Sequence, residues 1–283
     1  MIAEVYDTRR CSLGEGPLWH PERAQLFWFD INAKRLLSRD KTGPLEWQFD
    51  EHVSAAGWID IDTLLIASET ALLRFSIVTG EAKTLIRLEA DTPVTRSNDG
   101  RADPFGGFWI GTMGKNAETE AGAIYRYYNR KLVQLYDRIT ISNAICFSPD
   151  GTTAYFADTP TQKIMRQSLD PDGWPKGAPE VFIDLSTENL NPDGAVVDSQ
   201  GCLWNAQWGA HRVARYGRDG AFLSAVEFPA EQVSCPAFGG PGLKTLFAST
   251  AAVGLNRCRE AEGKTYSIAQ SVIGQREHRV ILG

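Results

Sequence analysis

A pattern that recurs every 41 to 50 residues constrains this chain more than any other feature of it. Six segments share the pattern: "EGPLWHPERAQLFWFD", "AAGWIDIDTLLIAS", "SNDGRADPFGGFWIGT", "SNAICFSPDGTTAYFAD", "NPDGAVVDSQGCLWNAQ" and "SCPAFGGPGLKTLFAS". Each opens on a small or polar residue, continues through a few apolar ones and a turn, and ends in a run rich in Val, Ile, Phe, Trp and Tyr. Aligned on that opening, the leading residues are Glu15, Ala56, Asn98, Asn143, Asp193 and Cys235, separated by steps of 41, 42, 45, 50 and 42 residues. A unit of this length holding about four strands is a propeller blade, which buries its faces only by stacking on its neighbours. Six units predict an all-β, six-bladed β-propeller with a central channel, formed as one domain over residues 1–283. A β-sandwich with turns every 8 to 12 residues is the alternative.

The strand assignment rests on short alternating or wholly apolar runs bounded by Gly, Asp, Asn and Pro, such as "QLFWFDI" at 25–31, "TAYFADT" at 153–159 and "CLWNAQW" at 202–208. No stretch sustains a 3.6-residue period, so helix is a minor component. The N-terminal "IAEVYD" is expected to supply the outer strand of the last blade and so close the ring, leaving no sheet edge unpaired.

Composition narrows the partners. A net charge of −6 and a pI near 5.3 disfavour nucleic acid and anionic membrane, both of which select basic patches. Five widely spaced cysteines without a CxxC pair read as reduced thiols. The acidic N-terminal segment lacks the apolar core of a secretory signal, and no apolar run is long enough to span a bilayer. These features predict a cytoplasmic protein, a monomer or a weak homodimer. The four histidines have no HxxH or HExxH spacing, and GxSxG, P-loop and GxGxxG patterns are absent from the sequence.

Chemistry enters through the repeat. If the six leading residues occupy equivalent places, they surround the channel as Glu15, Ala56, Asn98, Asn143, Asp193 and Cys235. Two carboxylates and two amides converging there suit a hard divalent cation. Taken singly, Asn98 in "NDG" and Asp193 in "NPDG" are turn formers, and Glu15 is a solvated charge. It is their recurrence in one column that favours a site. Asp99-Gly100 is expected to form a turn, Asp30 and Asp158 to bind turn backbone, and His20 to lie at the surface.

"LGEGPLW", "RSNDGRADPFGGFWIGTM", "ISNAICFSPDGTTAYFADT" and "NPDGAVVDSQGCLWNA" closely resemble the signature segments of the regucalcin (senescence marker protein), gluconolactonase and luciferin-regenerating enzyme family. The likeness covers roughly residues 12 to 254. It implies a six-bladed propeller holding one divalent cation, Ca²⁺ first, with Zn²⁺, Mg²⁺, Mn²⁺ or Fe²⁺ also compatible. Carried over by position, the metal ligands fall on Glu15, Asn143 and Asp193. The substrate contacts fall on Arg96, Asn98 and Glu118, with Glu120 in the same loop as the other choice for the last. The implied activity is hydrolysis of a sugar lactone to the sugar acid, with Asp193 as the catalytic base. A metal-dependent phosphotriesterase, a non-catalytic calcium-binding regulator and a propeller scaffold are the competing functions.

Overall fold

The computed structural model describes residues 3–283. Among these residues, 24 strands form six antiparallel four-stranded sheets, and the only helices are three single 3₁₀ turns. The innermost strands are Gly14–His20, Val53–Asp60, Thr95–Ala102, Ser142–Phe147, Asn191–Val197 and Gln232–Gly239, and they define blades one to six. In blades one to five the strand order follows the chain. The sixth takes its outermost strand, Glu4–Asp7, from the N-terminus, paired antiparallel with Thr265–Ala269. This is the expected closure; Ile2 of "IAEVYD" lies outside the described residues.

The hydrophobic core is divided as a propeller requires. Six apolar clusters lie one at each junction between neighbouring blades, so the sheets are held by their faces. Between blades one and two, for example, Phe27, Phe29 and Leu36 pack on Trp58, Leu64 and Ile66. The ring is sealed where Cys11, Leu26 and Trp28 of blade one meet Ala237 and Phe247 of blade six. Second strands such as Gln25–Asp30 are buried along their whole length, which explains their wholly apolar or aromatic runs.

A C-terminal strap closes the channel at one end. Gly274 N donates to Leu243 O in blade six, Val280 N to Trp58 O in blade two, and Ile281 N to Gly106 O in blade three. Between these anchors Glu277 forms a nearly buried ion pair with Arg101. His20 is fully buried, with Nε2 3.0 Å from Asp60 O and its ring beside Trp58 and Phe27. This corrects the surface assignment: His20 ends an inner strand, on a face covered by the next blade. All five cysteines are free, and only Cys258 is exposed.

Candidate functional site

Four inner strands carry the same irregularity. In blade one Glu15 pairs with Phe29 and Leu18 with Phe27, so Gly16 and Pro17 together face one residue. The same two-against-one bulge occurs at Asn98-Asp99, Ala144-Ile145 and Asp193-Gly194. Bulges of this kind kink a strand and redirect its side chains. These four, from blades one, three, four and five, all deliver a polar residue to one cavity.

The register also corrects the equivalence inferred from the sequence. Asn98 and Asp193 are the first residues inside their bulges, whereas Glu15 and Asn143 lie one residue before theirs. The offset is accommodated by backbone geometry: Gly16 and Ala144, which follow Glu15 and Asn143, adopt left-handed φ values of 53° and 58°. Gly16 is required on two counts, because a Cβ there would sit 2.2 Å from Ser54 O. Ala144 holds a conformation that costs an L-residue about 1–2 kcal/mol, the kind of local strain that gathers at functional sites. Ala56 and Cys235 fall beyond the irregularity in their strands and do not line the cavity.

The cavity holds about 220 Å³, and its polar lining is Glu15, Arg96, Asn98, Asn143, Thr159 and Asp193. Leu13, Met113, Ile141, Trp208 and Val253 are the apolar residues of the lining. It has room for several waters or one sugar ring.

Its polar walls are arranged with care for orientation. Arg96 donates through one terminal nitrogen to Ser97 O and Asn98 Oδ1, both at 2.8 Å. Asn98 Nδ2 donates to Ser142 O at 2.8 Å and faces Asn143 Oδ1 at 3.3 Å. Asp99 and Gly100 do not form the expected turn. They continue the strand Thr95–Ala102, because Asp99 is buried and accepts a 2.7 Å bond from Ile145 N in the next blade. Burial pushes the Asp99 carboxyl up to about 6.

Asp30 and Asp158 bind backbone as expected. Asp30 accepts from Ser12 N and Leu13 N, and Asp158 from Thr140 N and Ile141 N. They brace the chain two or three residues ahead of Glu15 and Asn143, and so place these side chains.

Glu15 and Asp193 are 7% and 4% exposed. Neither forms an ion pair with Lys or Arg among the described residues; Glu15 accepts only from Gly16 N. Burial first, and then the neighbouring Asp99 carboxylate, push Glu15 up to about 8. Burial, then the Glu15 carboxylate and then that of Asp99, raise Asp193 well above the ordinary range. Two buried carboxylates held together without a cation are electrostatically costly, and a divalent cation is the group that relieves them. With Asn143 they make an all-oxygen donor set. Burial lowers Arg96 to about 10, so it stays protonated at neutral pH.

Five of the six expected site residues therefore line one cavity. Glu118 is not among its walls: both carboxylate oxygens are turned onto Asn116, accepting from its backbone N and its Nδ2 at 3.0 Å. Glu120 is exposed and pairs with Arg138. Sequence reading missed Thr159 and Trp208. Thr159 follows a strand-ending Asp in "ADTP", with no local sign of a role, and Trp208 was legible only as the end of a strand.

The match to known proteins covers the same ground. Residues 13–252 fit the family described as SMP-30/Gluconolactonase/LRE-like region. The chain belongs to this family. A Rhizobium meliloti protein named for sugar lactone lactonase activity is 40% identical over 276 residues, 94% of this chain and 92% of its own. The L-arabinolactonase of Azospirillum brasilense is 35% identical, with 88% of this chain and 84% of that one covered. A crystal structure of a calcium-binding regucalcin from Agrobacterium tumefaciens superposes with a TM-score of 0.96 at 38% identity, covering 99% of this chain and 97% of that one.

Proposed function

We propose that this family member hydrolyses a sugar lactone to the open sugar acid, using one divalent cation, Ca²⁺ first, held by Glu15, Asn143 and Asp193. The observation that carries the reading is the pair of buried, unpaired carboxylates converging with an amide oxygen beside a buried arginine. The names of relatives at 35–40% identity support the lactone-hydrolysing activity.

A bound cation supplies Lewis acidity at the lactone carbonyl. The protein's own residues do the rest. Arg96, its guanidinium fixed by Asn98, donates to the sugar hydroxyls, while Trp208 and Met113 in the same cavity wall exclude water. Asp193 takes a proton from the attacking water as the new C–O bond forms. It returns that proton to the ring oxygen as the ester C–O bond breaks. One ionised carboxylate in the cavity wall can serve both transfers, first as general base and then as general acid. Substrate gripping is assigned to Arg96 and Asn98; Glu118 joins them only by releasing Asn116.

The test is hydrolysis of a panel of pentono- and hexono-lactones by metal-stripped protein, with each cation restored in turn and an organophosphate run alongside. Cation-dependent acid release is expected from at least one lactone. Full activity after stripping, or a full-rate Asp193→Ala variant, would sink the mechanism.

A further inference from the structure

The orientation of the Asn143 amide is dictated by a chain of bonds with no free choice in it. Arginine only donates, so the 2.8 Å contact from Arg96 fixes the oxygen of Asn98 toward it. Asn98 must then present Nδ2 to Ser142 O and to Asn143, which places the Asn143 oxygen on that side. The Asn143 nitrogen is left facing Thr159 Oγ1 at 2.9 Å. The threonine hydroxyl has one proton, which goes to Pro192 O at 2.8 Å, so toward Asn143 it can only accept.

We propose that Thr159 is a positioning residue for the cation: its hydroxyl locks the Asn143 amide with the oxygen toward the cavity and ties that amide to the strand of Asp193. The inference rests on the metal reading given above. Thr159 reaches across blades, from the start of the 3₁₀ turn Thr159–Thr161 in blade four to Pro192 in blade five, the residue before Asp193. One hydroxyl thereby sets both the orientation of one ligand and the separation of two. No other side chain bonds the Asn143 nitrogen among the described residues. Without Thr159 only the longer 3.3 Å bond from Asn98 holds the amide, and with its nitrogen turned inward it would offer a cation no lone pair.

The experiment compares wild type, Thr159→Val, which keeps the branched shape and loses the hydroxyl, and Thr159→Ser, which keeps the hydroxyl. Calcium affinity of stripped protein is measured by calorimetry, and Mn²⁺ binding by electron paramagnetic resonance. Outer-shell partners of metal ligands are typically worth about 10–100-fold in affinity. That loss is expected for Thr159→Val, with Thr159→Ser within about threefold of wild type on the same scale. Thr159→Ala serves in place of the valine variant should that one not fold. Wild-type affinity in a folded variant lacking the hydroxyl overturns the assignment of Thr159 alone. A role limited to stability would lower the melting temperature in chelator and leave the dissociation constant unchanged, and that result overturns it too. Wild-type protein that binds neither cation removes the metal reading itself.

Discussion

Replacing Glu15 by Gln should make the metal-free protein more stable while depriving it of its cation. In the folded chain the Glu15 carboxyl is pushed up to about 8 by burial and by the neighbouring Asp99 carboxylate. In the unfolded chain it titrates near its ordinary 4.5. Below pH 4.5 both states hold the proton, and the contribution to stability is complete. Between 4.5 and 8 only the folded state holds it, so stability declines by about 1.4 kcal/mol per pH unit as pH rises. Glutamine behaves as a carboxyl that never ionises, and its oxygen can still accept from Gly16 N. The advantage of Glu15→Gln is thus absent near pH 4.5, about 3 kcal/mol at pH 7 and largest at pH 8 and above. For 283 residues, an unfolding entropy near 2.1 cal/mol/K per residue turns about 3 kcal/mol into roughly 5 °C. Thermal melts in chelator across pH 5 to 8.5 read this directly. Saturating Ca²⁺ should reverse the order, because ligand binding stabilises only the protein that binds it. A variant that melts below wild type in chelator at pH 8 would refute the reasoning, since the buried Glu15 carboxylate would then carry no such cost.

Asn143→Ala should abolish activity and weaken cation binding at least tenfold, whereas Asn98→Ala should chiefly raise KM; steady-state kinetics with calorimetry separate the two. Asp103→Asn should cost about 3–5 kcal/mol in chemical denaturation, because it breaks a fully buried ion pair in which Arg126 Nε lies 2.7 Å from Asp103 Oδ2. Joining Asp103→Asn to Arg126→Met should recover part of that loss; strict additivity of the two would show the residues to be uncoupled. Removing residues 1–8 should lower the melting temperature by several degrees, since Tyr6 packs on Trp28 and Phe247 across the closing junction.

The fold was legible because each blade must bury two faces, which imposes both the repeat and its wholly apolar second strands. The site was legible in part for the same reason: residues at one place in each repeat converge on the axis. Its finer structure was hidden in the backbone. Nothing in "SNAIC" reveals that Ala144 takes a left-handed turn, nor in "NDG" that Asp99 spans two blades instead of making a turn. Glu118 matched a family motif, yet its carboxylate is bound to its own loop. The Thr159 hydroxyl bonds partners 16 residues before it and 33 after it, a separation that local patterns do not encode.

The pairing of Glu4–Asp7 with Thr265–Ala269 has a consequence for biosynthesis. At about 5–20 residues per second, roughly 15–50 s separate the translation of these two strands. During that interval the first strand has no partner, blade one has no neighbour on its open side, and Trp28 lacks the cover that Phe247 will later bring. The growing chain therefore spends its synthesis as an incomplete arc with an adhesive flank. Its protection from other nascent chains has to come from the cell until the last blade emerges.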